Sequence, residues 1–379
     1  MIKAGHISGR QATAIMTIIL VTKLMNPIAT IIIRWGQSAA DTLAFLSGLI
    51  MLVLVLPILP LVKDTPKTLF GLMREHFGKV LGTVFSIFLL ITLSLDTAVV
   101  LRADVVQVQL IFAPQTPLPI IESLILLVAV YASYLGLEAI ARSNLIAFFL
   151  LIVLIITLFI ITQLFYANWM NLAPILGPGI PTLLTQGILH AGFYGELLIL
   201  FNLRIFVRDY KSFKTSVFSS QIISVSVSII AFSLFQLVFP YPSSGHLFFP
   251  FIELAKLIYF GRFIQHIEAA FAITWLIVGL LRITIMVYVL SFMMADICNT
   301  QNVRRFIPSI AIFIFYGTLI PPSLVADVDF KDVQLMQYGI FVYGLLPIAI
   351  AVVAYLRKRK NNKKSPSTEP QGGPAHVGE

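Results

Sequence analysis

The sequence predicts an all-α polytopic membrane protein with ten transmembrane helices. Three observations carry this. Of 379 residues, 58% are hydrophobic and only 11% are Asp, Glu, Lys or Arg, about half the charged share of an ordinary soluble domain. Apolar runs of about 20 residues, the length that crosses a bilayer core, recur along the chain. The basic residues gather on one side of those runs. The charge deficit excludes a conventional globular enzyme, and the abundance of apolar side chains excludes disorder over most of the chain. The single cysteine, Cys298, excludes a disulfide framework and a Cys-based zinc cluster. No metal or cofactor is expected.

The ten predicted spans are 11 to 33, 42 to 62, 80 to 102, 117 to 136, 144 to 166, 182 to 204, 215 to 239, 265 to 296, 305 to 325 and 334 to 356. The first is read as a retained helix rather than a signal sequence, because no small-residue cleavage site follows it and nine more spans do. With an N-terminus in the cytoplasm, inner segments carry nineteen of the 26 basic residues. Outer segments carry five (Arg34, Arg102, Lys256, Arg262 and Lys331), and Lys23 and Arg282 lie inside spans. The positive-inside rule then places both termini in the cytoplasm, and the net charge of +9 reflects topology rather than nucleic-acid binding. Residues 1 to 356 are expected to form one permease-like domain. Residues 357 to 379 form a basic tail suited to anionic lipid, with a Ser/Pro/Gly-rich end expected to be disordered.

Little lies outside the spans. In residues 66 to 79, Leu69, Phe70, Met73 and Phe77 share a helical stripe, which predicts a short interfacial helix. Residues 246 to 263 suggest a second surface helix on the outer face. No extramembrane segment is long enough for a catalytic domain. No His-Glu-x-x-His, Gly-x-Ser-x-Gly or paired-Asp motif sits inside a span, so an enzyme is not expected.

Ionisable residues at membrane depth cost several kcal/mol unless paired or wet. They are Lys23, Asp96, Glu122, Glu196, Glu268 and Arg282, with His190 beside them. Asp96 and Glu122 lie near span boundaries and read as structural. Arg282 reads as a buried ion pair holding two helices or as a ligand contact. Glu196 closes a segment, 187 to 196, in which Gly187, Gly192 and Gly195 weaken the helix and admit close backbone approach. A helix broken there would offer backbone donors and acceptors to a zwitterion, with Glu196 available to its ammonium. The alternative is close packing with Glu196 protonated or salt-bridged. In the first span, Lys23-Leu24-Met25-Asn26-Pro27 combines a charge, an amide and a proline; it reads either as a second break or as a simple proline kink. Two interrupted helices, each opening a set of five, are the pattern of a five-plus-five inverted repeat, here 11 to 166 and 182 to 356.

Phe193-Tyr194-Gly195-Glu196 resembles the aromatic-x-Gly-aromatic-Glu break in the sixth helix of the amino acid, polyamine and organocation transporter superfamily. Leu172-Ala173-Pro174-Ile175-Leu176-Gly177-Pro178-Gly179, running into Gly192 to Leu200, is similar to the fifth-to-sixth helix junction of the spore germination permease family, the B subunits of spore germinant receptors. Ile7-Ser8-Gly9-Arg10-Gln11, Thr65-Pro66 to Gly82, and Phe249-Pro250 through Glu268 to Trp275 fit the same family in order.

The resemblance implies a LeuT-like bundle with broken helices 1 and 6 in the inner membrane of an endospore. There it would bind a small amphoteric germinant, commonly an amino acid, and signal through a larger membrane A subunit and a lipoprotein C subunit without established turnover. By that analogy Met25, Asn26, Pro27, Phe193, Tyr194, Gly195 and Glu196 are the ligand contacts. Lys23, His190, Gly192, Glu268, Trp275 and Arg282 are structural or coupling candidates. Two departures stand out. Met25-Asn26-Pro27 replaces the small residues usual at the first break, and His266 replaces the basic residue that often precedes the helix-eight Glu, here Glu268. Lys23 reads either as paired with an acid or as a stand-in for a sodium ion. A secondary transporter for amino acids or polyamines is the competing function on the same fold.

Overall fold

A computed structural model describes residues 6–257, 267–321, 323–330 and 337–364. The first span is two helices separated by a break. α1 (Gly9–Val21) opens on a capping box: Gln11 N–H donates to Ser8 Oγ at 3.2 Å and Ser8 N–H to Gln11 Oε1 at 2.9 Å, which satisfies two orphan donors reciprocally. A 3₁₀ turn, Thr22–Met25, and an extended Asn26 interrupt the run before α2 (Ile28–Gly36) resumes. Pro27 has no N–H for the Lys23 carbonyl, and Asn26 N–H takes its place at 3.2 Å. The proline therefore tightens and then breaks the helix rather than merely bending it.

α3 (Ala40–Val55) follows and ends in a 3₁₀ stretch, Leu56–Val62. The apolar stretch from Ile28 to Val62 is 35 residues long, about 50 Å as one helix against a bilayer core of about 30 Å. Gln37, at φ 53, folds it back, and α2 packs on α3. Then come α4 (Leu69–Phe77), α5 (Lys79–Phe112), α6 (Leu118–Tyr134) and α7 (Leu137–Phe165). The sixth span consists of α8 (Ile180–Leu189), a 3₁₀ stretch over Ala191–Leu198, and α9 (Ile199–Asn202). It is followed by α10 (Tyr210–Val238), α11 (Pro250–Lys256), α12 (Ile267–Ile297), α13 (Ile307–Thr318), α14 (Leu324–Phe330), a π-helical turn at Phe341–Leu345 and α15 (Leu346–Lys364).

Seven helical stretches among the described residues are long and apolar enough to cross a membrane. The predicted ten include helices that length alone does not single out: α1 has 13 residues, α6 has 17 and α13 has 12. The core is the broken first span, the 3₁₀ stretch of the sixth and α12. α1 is enclosed by α7 and α10, and α12 by α5, α6 and α7. Large apolar side chains instead face outward on α5, α6, α7 and α13, including Val80, Leu127, Ile146 and Tyr316, each more than 60% exposed. A soluble protein rarely carries so much exposed apolar surface; with the apolar helices it makes this an integral membrane protein.

Three expectations change in detail. The third helix runs to Phe112, ten residues past the predicted end at 102, because nothing breaks the pattern before Ala113-Pro114. The amphipathic α4 buries Leu69, Phe70, Leu72 and Met73 against the bundle instead of lying only on lipid. It is tied to the end of α12 by an Arg74–Asp296 ion pair and by Thr68 Oγ1 donating to Asp296 Oδ2 at 2.6 Å, and to α15 by Arg357 donating to the Glu75 carbonyl at 2.7 Å. The basic tail continues α15 as helix through Lys364, and residues 365 to 379 lie outside the described residues. Of the predicted outer surface helix, α11 is present, and 258 to 263 lie outside the described residues.

Candidate functional site

The two interruptions meet at the centre of the bundle. Lys23, 1% exposed, projects from the 3₁₀ turn of the first span. Its Nζ donates to the Phe193 carbonyl, pairs with the Glu196 carboxylate and lies 5.0 Å from the centre of the Phe193 ring. The break in the sixth span is not unwound. Its backbone tightens from α to 3₁₀ over Ala191–Leu198 and stays helical throughout, so it exposes fewer backbone groups than a broken helix would. Gly195 is required there by contact: a Cβ at this position would run into the Tyr343 ring. Phe193 and Tyr194, both fully buried, pack edge to face with ring centres 5.0 Å apart.

Arg282 of α12 completes the cluster. Its Nη2 donates to Glu196 Oε1 at 2.5 Å and lies 3.6 Å from Asp96 Oδ2 of α5. Two cations thus face two carboxylates, all buried. Desolvating any one of these ions alone would cost several kcal/mol, and mutual pairing offsets it. The pairing joins the first, third, sixth and eighth predicted spans at one point. Arg282 Nε and Nη1 have no hydrogen-bond partner among the described residues.

Beside this cluster lie two cavities. One opens between α5, α6, α11 and α12 and is lined by Asp104, Gln107, Ile111, Trp275 and Gly279 among others. The other is almost wholly apolar and lined by Leu24, Met25, Phe251 and Trp275. Trp275 borders both, and its ring stacks on Phe271 at 6.4 Å and 15°. Gln107 connects the first cavity to the first break: its Nε2 donates to the Met25 carbonyl at 2.6 Å and to Asn26 Oδ1 at 3.2 Å.

The predicted ligand contacts therefore divide. Met25 lines a cavity, and Asn26 is reached through Gln107. Pro27 is buried at the start of α2. Phe193, Tyr194, Gly195 and Glu196 line neither cavity. Lys23 and Arg282 pair with Glu196, and Trp275 stands between the cavities. His190 is packed away, with its Nδ1 3.0 Å from the Gln186 carbonyl and its ring beside Trp35. Gly192 is buried within the 3₁₀ stretch. Glu122 accepts a hydrogen bond from Thr318 Oγ1 of α13. The side chains of Glu268 and His266 lie outside the described residues. Sequence reasoning misses Asp104 and Gln107, because it ends the third span at 102. The spacing of Val105, Val108, Ile111 and Phe112 continues the helical stripe and is the available signal.

A helical bundle with two interrupted spans meeting around a buried ionic cluster defines a permease-like protein of the LeuT fold. A sialic acid symporter coupled to Na⁺, in a substrate-bound outward-open state, has a TM-score of 0.65 at 11% identity, covering 94% of this chain and 90% of that one. The manganese transporter of Eremococcus coleocola, bound to an aromatic bis-isothiourea compound, has a TM-score of 0.55 at 13% identity over 94% of this chain and 80% of that one. A mutant of the same transporter has a TM-score of 0.52 at 14% identity, covering 95% and 89%. At these identities the likeness is one of fold. Residues 7–323 match the family of spore germination proteins of the spore permease type, and the chain belongs to that family. No curated protein matches the sequence.

Proposed function

We propose that this chain is the ligand-sensing B-type subunit of a spore germinant receptor. It binds a small amphoteric molecule, most simply an amino acid, and passes the signal to a membrane A subunit and a lipoprotein C subunit in the spore inner membrane. The observation that carries this reading is the juxtaposition, within a spore germination permease, of the first-helix break, a cavity edged by Asp104, Gln107 and Trp275, and the Lys23–Glu196–Arg282 cluster. A ligand in the cavity reaches the break through Gln107 and so acts on a cluster that joins helices of both proposed halves, 11 to 166 and 182 to 356. Met25 and Asn26 belong to the ligand side of this arrangement. Phe193 to Glu196 belong to the coupling side, refining the contact set expected from the sequence. Both termini are placed in the cytoplasm, and the mouth beside α11 then faces outward.

The test is a strain lacking the chain, challenged with individual amino acids, nucleosides and sugars. Selective loss of the response to one class supports the reading, and an unaltered response to all of them overturns it. Secondary transport is the competing reading, favoured by the fold shared with a symporter and a metal transporter. Gradient-driven accumulation of labelled amino acids in proteoliposomes would establish it.

A further inference from the structure

The charges in the central cluster balance without Asp104. Lys23 and Arg282 face Glu196 and Asp96, and Asp104 stands to one side, on the wall of the first cavity. Among the described residues no Lys, Arg or His comes within ion-pair distance of it. Arg282 acts on it from farther away. Its carboxylate lies over Gly279 of α12, where a Cβ would touch Oδ2 at 3.4 Å. A small residue on the facing helix thus lets the acid lean towards the cavity. Around it the lining is aliphatic, with Val108, Ile111, Ile125 and Ile252. Trp275 contributes an aromatic wall and an indole Nε1 that has no hydrogen-bond partner among the described residues, although the residue is only 5% exposed. An unbalanced carboxylate at membrane depth is costly and marks a cation's place. An aromatic face beside it favours an organic cation.

We propose that Asp104 is the ammonium-recognition residue of this cavity and that its ligand is a primary amine carrying a small aliphatic body, with the Trp275 indole N–H donating to the ligand's acceptor end. This rests on the reading of the chain as a receptor for a small amphoteric molecule and assigns the amine end of that molecule to Asp104. Glu196, already paired twice, is left to coupling.

Three probes on one carbon skeleton test it: L-leucine, 3-methylbutylamine, which lacks the carboxylate, and 4-methylpentanoate, which lacks the amine. Thermal unfolding of the purified full chain should shift upward with L-leucine and 3-methylbutylamine and remain unchanged with 4-methylpentanoate. Asp104→Asn keeps the shape and loses the charge, and should weaken the response to both amines at least about tenfold, the scale of one charged hydrogen bond. Ile111→Phe, which narrows the cavity and leaves the acid in place, should abolish the same shift, and it serves if Asp104→Asn does not fold. No shift with 3-methylbutylamine, an equal shift with 4-methylpentanoate, or an undiminished amine response in both variants overturns the assignment. The germination assay separates that failure from failure of the receptor reading: a nutrient response that depends on the chain, without amine stabilisation, leaves the receptor and removes Asp104 from it.

Discussion

Glu196 sits between two buried cations, so its removal leaves Lys23 and Arg282 buried against Asp96 alone. Glu196→Ala should destabilise the protein by about 3–5 kcal/mol, the cost of breaking a buried pair from one side. Thermal unfolding will show this as a lowered midpoint before any ligand is added. Replacing Lys23 by Met alongside Glu196→Leu should recover much of the loss, and a double-mutant cycle will measure the coupling. The charged residues were legible in the sequence because charge is scarce in a chain with 11% of it. Their partners were not. Lys23 and Glu196 stand far apart in the chain, in the first and sixth spans, and one sequence carries no signal of which buried acid meets which buried base. Asp104 was hidden for a different reason, a helix that continues past the end its hydropathy suggests.

Helix interruptions show the same division. Pro27 marks the first break by chemistry, since a missing N–H must change the hydrogen bonding around it. The glycines of the sixth span predict a weak point but not its form: the backbone tightens to 3₁₀, and Gly195 admits Tyr343 of the π-helical turn at Phe341–Leu345 against it. Gly195→Ala should therefore cost about 1–3 kcal/mol by overpacking, and Tyr343→Leu should relieve it; unfolding midpoints of the single and double variants measure this. On α4, burial lowers the pKa of His76, opposed by Glu75 and aided by Arg357 and Lys67. A depressed folded pKa means the unfolded chain takes up the proton first. Stability is then fullest above the ordinary value of about 6.5 and falls as pH drops through and below it. Melting midpoints measured from pH 7.5 to about pH 5 should decline, and His76→Gln should flatten that decline.

For the chain in its entirety, the apolar runs reveal the fold class directly, because crossing a bilayer imposes a length and a composition on each helix. The short helices α6 and α13 and the broken first span obey that rule least, and there the count depends on the bundle rather than on any one segment. As a sensor the protein should show no gradient-driven uptake of L-leucine in proteoliposomes, measured against empty vesicles. The ionic cluster then takes on another meaning. It pins the first-span break, α5, the sixth-span break and α12 to one point, so moving these elements apart means separating buried charges. At about 3–5 kcal/mol such a state is rarer than the resting one by roughly a hundred- to several-thousand-fold. On the proposed receptor reading, that threshold would keep the protein quiet, and only an occupant supplying comparable energy would trip it. On that reading, a dormant cell that germinates once would gain more from a high threshold than from a fast response.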